Sequence, residues 1–374
     1  MMRHIAVNTR LLLKGRLEGI GRVAHETLSR LVKKHPEWRF SFFFDRPYDE
    51  SFIYAPNVTP YVLFPPARHP FLYVAWFEGT VAHYLHRLKP DVFFSPDAYL
   101  SLRAKVKQVP LFHDLAFEHF PNDIDLLHRK HYHTFFPRYA RKASHILTVS
   151  EFTKQDIIHR YGILPEKITV AWNGGGEQFY PISQEKQGII RQKYTSGDDY
   201  FLYVGAIHPR KNLDTLLKAF DRFKAETNHP AKLVLTGRWA WQTGIVREAY
   251  DQMMFRDGVV FTGYVSDEDL NGLYASALAV CYVSRFEGFG LPIVEAFRAG
   301  TAVITSNVSS MPEIADEAGI LVPPEDVSAV SEALKRIAFD TEFRQNLIRK
   351  GKMRAELFSW DKTADITSNV LANV

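Results

Sequence analysis

The chain has 374 residues, 46% hydrophobic and 24% charged, the proportions of an ordinary globular protein long enough for two domains. Its one cysteine, Cys281, excludes an internal disulfide and a cysteine-based zinc site, and no apolar run reaches the ~18 residues of a membrane span. Charge is uneven: residues 1–180 hold 24 Lys and Arg against 17 Asp and Glu, with 13 of the 15 histidines, while the remainder holds 22 against 25. A basic half suits an anionic partner, such as an acidic membrane surface, or plain solubility. The first ten residues read as strand and lack a signal-peptide core, and the single cysteine fits a reducing cytoplasm.

In chain order, His4–Asn8 predicts a first strand. A turn region over Leu13–Gly21 carries glycines at 15, 19 and 21, and Ile20–Lys34 reads as a helix with Val23, Thr27, Leu28 and Leu31 on one face. Arg39–Phe44 is an aromatic strand. Strand, glycine turn, helix, strand opens a doubly wound α/β domain, where ligands sit beyond the strand C-termini. Residues 47–75 are rich in Pro and aromatics and resist assignment. Trp76–Lys89 reads as helix, and Asp91–Ser95 and Gln108–His113 read as strands. His113-Asp114-Leu115 thus stands at a strand end, where catalytic groups sit in such folds; a satisfied core histidine is the competing reading. Asp123-Ile124-Asp125 is a D-x-D of the kind that chelates a metal elsewhere, but helix capping explains it better and no catalytic metal is expected. The helix it precedes, Leu126–Lys142, is dense in Arg, Lys, His and Tyr. Leu127, Phe135, Phe136 and Tyr139 give it a packing face rather than a membrane-surface one. Ile146–Ser150 is a strand, Ser150 caps a helix to Tyr161, and Ile168–Ala171 is the last strand of the first domain. Asn173-Gly174-Gly175-Gly176 is the candidate hinge, and residues 182–198 are polar and linker-like at both ends.

A second set of elements begins with the strand at Tyr200. After Gly205 comes Ala206-Ile207-His208-Pro209-Arg210-Lys211-Asn212, then a helix over Leu213–Lys224. Two adjacent cations there suit a diphosphate, Lys as a point charge and Arg as a fork; a solvated basic loop is the plainer alternative. Lys232–Thr236 and Val259–Phe261 are strands, and Asp267–Ala275 is a helix beneath the turn Thr262–Ser266. Arg238-Trp239-Ala240-Trp241 borders a nucleotide or, more simply, packs. The densest stretch is Leu278–Thr305: a strand over Leu278–Val283, the loop Glu287-Gly288-Phe289-Gly290-Leu291, a helix begun by Pro292 and stopped by Gly300, and a strand over Thr301–Thr305. The helix N-terminus offers N–H groups and a positive dipole end to a phosphate. Glu287 and Glu295 would repel a diphosphate and so suit hydroxyls; a nucleotide sugar supplies both partners. A lone G-x-G equally fits a plain βαβ crossover with solvated acids. Helices over Ser328–Phe339 and Thr341–Phe358 follow, and Ser359-Trp360-Asp361-Lys362 starts a last helix to Val374.

E-G-F-G-L-P-I-V-E, with A-G-T-A-V-I-T-S-N-V-S-S-M-P-E after it, resembles the E-x7-E signature of retaining GT-B glycosyltransferases of family 4. L-F-H-D-L-A-F-E-H-F-P, P-R-K-N, T-G-Y-V-S and the glycine loop Gly19-Ile20-Gly21-Arg22 resemble further motifs of that family. The resemblance implies that Glu295 binds the donor ribose and Glu287 the donor sugar, and that Phe289, Gly290 and Leu291, with Gly288, hold phosphate through backbone N–H groups. It implies that Lys211 and Arg210 bind the diphosphate, that His113, with Asp114 as a weaker companion, contacts the sugar, and that Gly19 faces the diphosphate or the acceptor. The turn containing Val265 then reads the nucleobase. Many relatives carry Arg directly after the glycine of the second set; here Gly205 is followed by Ala206, which shifts anion binding onto Arg210 and Lys211.

The expected fold is α/β, GT-B: two Rossmann-like domains, 1–180 on the acceptor side and 181–358 on the donor side, with the active site in the cleft and 359–374 crossing back to the first. The expected activity is retaining transfer of a hexose, mannose from GDP-mannose by the flavour of the motifs, to a glycan or lipid-linked acceptor of surface polysaccharide. No cofactor or metal is expected beyond the nucleotide-sugar donor, and no nucleic acid; peripheral contact with an anionic inner membrane face is an option. The alternatives are a UDP-sugar donor, a GT-B nucleotide-sugar epimerase, and a non-catalytic nucleotide-binding scaffold. A plain NAD-binding protein is disfavoured, because no G-x-G-x-x-G follows the first strand.

Overall fold

The computed structural model describes residues 2–15, 17, 19–238 and 244–374. The chain divides into two compact units, Met1–Gly174 with Ser359–Val374, and Gly175–Phe358. The division falls six residues before the expected boundary at 180/181. Residues 175–180 join the second unit because they pack there: the Phe179 ring meets Tyr274 edge-on at 5.1 Å, and the Tyr180 N–H donates to Asn271 Oδ1 at 3.0 Å. The glycine run has a packing reason of its own. A Cβ on Gly174 would lie 2.2 Å from the Trp360 nitrogen, and one on Gly175 would lie 2.3 Å from Arg298 Nε.

The first unit is built on a parallel seven-stranded sheet ordered β3-β2-β1-β4-β5-β6-β7. Its strands are β1 (His4–Asn8), β2 (Arg39–Phe44), β3 (Val58–Val62), β4 (Val92–Ser95), β5 (Lys107–Phe112), β6 (Ile146–Thr148) and β7 (Ile168–Val170). β1 is buried along its whole length and β2 from Phe40 onward, as strands covered on both faces must be. The helix over Ile20–Lys34 buries Val23, Thr27, Leu28 and Leu31, the face its spacing predicts. Residues 47–75, unassigned from the sequence, contain β3 and a helix over Pro70–Val74 that runs on through a π-helical segment to Val81. Asp125 caps the helix over Leu126–Lys142, accepting from the N–H groups of Leu127 and His128. That helix buries Phe136 and Tyr139, but Leu127 is 47% exposed, so the expected packing face does not reach its first turn. The last helix, Trp360–Asn373, packs on the helix over Ile20–Lys34. Lys34 Nζ lies 2.7 Å from Asp365, and Arg3 Nη1 donates to the Leu371 carbonyl at 2.9 Å.

The second unit holds a parallel six-stranded sheet ordered β10-β9-β8-β11-β12-β13. Its strands are β8 (Tyr200–Val204), β9 (Lys232–Thr236), β10 (Val259–Gly263), β11 (Ala279–Tyr282), β12 (Ala302–Ser306) and β13 (Gly319–Val322). β11 and β12 are wholly buried and lie in register, Val280 beside Val303 and Cys281 beside Ile304. Cys281 is fully buried, and burial pushes its thiol up. The stretch 182–198, expected to be polar and linker-like at both ends, holds a helix over Gln184–Thr195 that Ser183 caps, with both ends of the stretch outside it. The helix Leu291–Ala299 begins at Leu291-Pro292 and ends at Gly300, whose φ of 77° is the left-handed stop expected of it.

Candidate functional site

In both sheets the strand order reverses between the first strand of the unit and the fourth. In the second unit this switch lies between β8 and β11, which run parallel with Phe201 beside Ala279 and Leu202 beside Val280. Loops leaving two such strands diverge to opposite faces of the sheet and leave a crevice between them, the usual ligand position in open α/β sheets. The loop after β8 carries Arg210 and Lys211; the loop after β11 carries Glu287. Residues 76 apart in sequence therefore meet. Lys211 Nζ lies 2.6 Å from Glu287 Oε1, and Arg210 Nη1 lies 3.8 Å from Oε2. Lys211 also donates to the Tyr282 hydroxyl at 2.8 Å, and Arg210 Nη1 to the Phe286 carbonyl at 2.9 Å.

Glu287 is 7% exposed. Burial would raise its carboxyl, but Lys211 and then Arg210 outweigh burial and hold it below the ordinary glutamate value, so it is ionised at neutral pH. The cluster thus keeps one net positive charge beside the start of the helix Leu291–Ala299. The first turn of any helix presents N–H groups without intrahelical acceptors, and its dipole adds to that charge. Gly290, immediately before the helix, has a φ of 106°, which a side chain tolerates badly. The cationic loop is itself held. Asn212, fully buried at φ 60°, donates to the carbonyls of Val283 and Pro324, and Arg285 bridges Asp214 at 3.0 Å and Glu325 at 2.6 Å.

Glu295 lies one turn into the helix, half-buried, with Oε2 accepting from the Tyr274 hydroxyl at 2.6 Å. Gly205 ends β8 and donates to the Thr236 carbonyl, while Gly237 after β9 donates to the carbonyl of Gly263. These bonds stitch the ends of three neighbouring strands together. Val265 is half-buried in the turn that follows, between Tyr264, 86% exposed, and Ser266, which caps the helix Asp267–Ser276. Trp239–Trp241, offered above as a nucleotide border, lies outside the described residues.

In the first unit His113 stands just past β5, and its Nε2–H donates to the Pro96 carbonyl at 2.7 Å. Burial lowers the imidazole; that hydrogen bond and the nearby carboxylates Asp114 and Asp97 oppose this only in part, so the ring is neutral at pH 7. Asp114 accepts from the Ala116 N–H at 2.9 Å, closing a turn. Gly19 lies at the start of the helix Ile20–Lys34 with a φ of 44°.

Of the site residues expected from the sequence, the fold brings Arg210, Lys211 and Glu287 into one cluster at the start of the helix that bears Glu295. His113 and Gly19 belong to the other unit. Sequence reasoning overlooked Tyr282, Tyr274, Asn212 and Arg285. Each reaches its partner across many residues, so none leaves a local signature. Tyr282 alone had a signal, as the last residue of the strand that feeds the Glu287 loop.

The family profile described as glycosyl transferases group 1 matches residues 186–354, and the one described as glycosyltransferase family 4 matches residues 17–174. The O-antigen chain mannosyltransferase B of Escherichia coli is 32% identical over 290 residues, covering 76% of this chain and 75% of that protein. The O-antigen chain mannosyltransferase RfbU of Salmonella typhimurium is 27% identical, covering 67% and 72%. The serotype-specific mannosyltransferase WbdA of Escherichia coli is much longer; a match at 29% identity covers 60% of this chain but 28% of WbdA. Among solved structures, Anabaena HepE in complex with UDP and glucose superposes with a TM-score of 0.77 at 18% identity over the whole of both chains, which establishes the fold. By sequence and by architecture the chain belongs to the group 1 glycosyltransferases, GT-B in fold and mannosyltransferase-like in its motifs.

Proposed function

We propose that this glycosyltransferase moves mannose from GDP-mannose, with retention at the anomeric carbon, to a hydroxyl of a glycan or lipid-linked acceptor in surface polysaccharide synthesis. The observation that carries the reading is the cluster of buried Glu287 with half-buried Lys211 and Arg210 at a helix N-terminus on the switch point of the sheet. Lys211 and Arg210, with the backbone of 288–291, hold the diphosphate. They stabilise it most as it departs and its negative charge grows, which is where fixed donors accelerate transfer. Glu287 accepts from hydroxyls of the sugar and Glu295 from those of the ribose. The turn holding Val265 reads the base through its main chain, Gly19 flanks the diphosphate or the acceptor, and His113 contacts the sugar. No carboxylate is assigned as a nucleophile and no metal or cofactor is invoked; positioning supplies much of the rate. The likeness to two O-antigen mannosyltransferases supports the sugar and the pathway class.

A thermal-shift panel with GDP-mannose, GDP, UDP-glucose and UDP tests the donor. GDP-mannose is expected to raise Tm most. A larger shift with UDP-glucose moves the assignment to a UDP-sugar, and conversion of the donor without any acceptor moves it to an epimerase. Binding with no nucleoside diphosphate release under any acceptor leaves a scaffold.

We further propose cytoplasmic residence with peripheral contact on an anionic membrane through the first unit. Among the described residues, no helix is long and apolar enough to cross a membrane. Phe71 and Leu126 are 71% and 75% exposed, His69 stacks on Phe71 with ring centres 5.5 Å apart, and the His69 and His128 rings lie 6.4 Å apart. Exposed Arg68 and Lys130 flank these side chains in sequence. Co-sedimentation is expected with vesicles containing anionic lipid, to fall in the double variant Phe71→Ser, Leu126→Ser, and to be absent with neutral vesicles. Failure to bind anionic vesicles even at low salt removes the membrane from this account.

A further inference from the structure

The segment from the end of β12, Ser306-Asn307-Val308-Ser309-Ser310-Met311-Pro312, has entered only through the family resemblance, and none of its residues has yet been given a role. Seven described residues other than glycine have a positive φ: Lys89, Ala98, Ser196, Asn212, Asn228, Ser309 and Asp316. Five of these sit at helix ends, where left-handed backbone is the ordinary way to stop or start a helix. Ser309, at φ 54°, ends no helix. Glycine would take that conformation without strain, whereas a side chain resists it.

What the serine supplies is its hydroxyl. Ser309 Oγ accepts from the Glu287 N–H at 3.1 Å. The next residue, Ser310, is fully buried, and its hydroxyl is shared between the carbonyls of Glu287 and Phe289, each at 2.9 Å. The two serines therefore engage both main-chain polar groups of Glu287, while Lys211 and Arg210 engage its carboxylate. A buried carboxylate at the site is thus aimed from its backbone as well as from its tip. Strain of this kind persists where the surroundings over-determine it, and it gathers at functional sites.

We propose that Ser309 and Ser310 are positioning residues: they fix the main chain of Glu287 and Phe289 so that the Glu287 carboxylate and the turn leading to the helix Leu291–Ala299 keep the geometry that donor transfer needs. The inference rests on the donor-site reading of Glu287. Its distinguishing consequence is that stability and turnover move apart in Ser309→Gly. That variant relieves the strained φ and loses the hydroxyl. Its Tm is expected to equal or exceed that of the parent, while kcat falls about tenfold, the rate equivalent of one hydrogen bond. Ser309→Ala keeps the strain and loses the same bond, so both Tm and kcat are expected to fall. Parent-like kcat in Ser309→Gly overturns the proposal, because the hydroxyl is then not needed. A joint loss of Tm and kcat in Ser309→Gly also overturns it, because the serine then only holds the fold.

Glu287→Gln serves as the reference. Combined with Ser309→Gly it is expected to lose little beyond its own defect, since residues acting through one another are not additive; fully additive losses overturn the proposal. If Glu287→Gln itself turns over like the parent, the donor-site reading fails and takes this inference with it. If Glu287→Gln is slow while Ser309→Gly is not, only the inference fails.

Discussion

Lys211→Ala is expected to lower kcat/KM for the donor by about 10³, with both donor binding and turnover affected. The lysine ammonium is the nearest cation to Glu287, at 2.6 Å, and lies in the loop that the switch point turns toward the helix N-terminus. Removing one fixed donor from a site where charge develops costs about 10²–10³ in rate, and loss of ground-state attraction to the diphosphate adds to that. The variant also leaves buried Glu287 with Arg210, at 3.8 Å, as its remaining counter-charge among the described residues. Breaking a buried pair from one side costs about 3–5 kcal/mol, or roughly 10 °C in the Tm of a unit of this size. The double variant Lys211→Met, Glu287→Gln removes both charges. It is expected to recover most of the Tm and none of the activity, which separates the catalytic loss from the folding loss. Lys211→Arg keeps the charge but not the compact point geometry, and is expected to fall between. Wild-type kcat/KM in Lys211→Ala would end the assignment of this loop to the diphosphate.

Glu295→Ala is expected to raise the donor KM by about 10–100-fold while kcat changes little. An interaction made equally in ground and transition states shows as KM alone, and ribose lies away from the reacting carbon. A hydrogen bond to a charged group is worth about 1.5–3 kcal/mol, which brackets that range. Alanine also takes the acceptor from the Tyr274 hydroxyl, whose ring is fully buried. Losing that hydrogen bond to a charged group costs about 1.5–3 kcal/mol of stability. Glu295→Gln keeps an oxygen for Tyr274, so its Tm is expected to return toward that of the parent while its donor KM stays raised. An unchanged KM in both variants would place ribose recognition elsewhere.

The two predictions differ in how much of their basis can be read along the chain. The strand, loop and helix around Glu287 are local: an apolar run, a glycine pair, Pro292 at a helix start and Gly300 at its end, each legible because its physical reason lies within a few residues. Ile20–Lys34, Arg39–Phe44 and Leu126–Lys142 likewise fall where periodicity and capping put them. Residues 47–75 could not be read, because β3 carries Pro60 at its centre and the helix Pro70–Val74 is only five residues long, so neither shows a periodic signal. Over 182–198 the linker-like ends lie outside the helix Gln184–Thr195, and the helix between them was not read for a related reason. That helix is polar on most sides and becomes visible only through Ser183 at its cap and its packing against the helix Asp267–Ser276.

By itself, then, the amino-acid sequence determined the alternation of strands and helices, the cationic and acidic loops, and the family to which they belong. Tertiary structure decided what those loops meet. A parallel sheet whose order reverses at β8 and β11 sets Lys211 against Glu287 across 76 residues, gives Glu295 its Tyr274, and brings Ser309 and Ser310 onto the main chain of Glu287. Such pairings are a property of strand order, and strand order follows from burying both faces of the sheet at once, which no short window of residues can express.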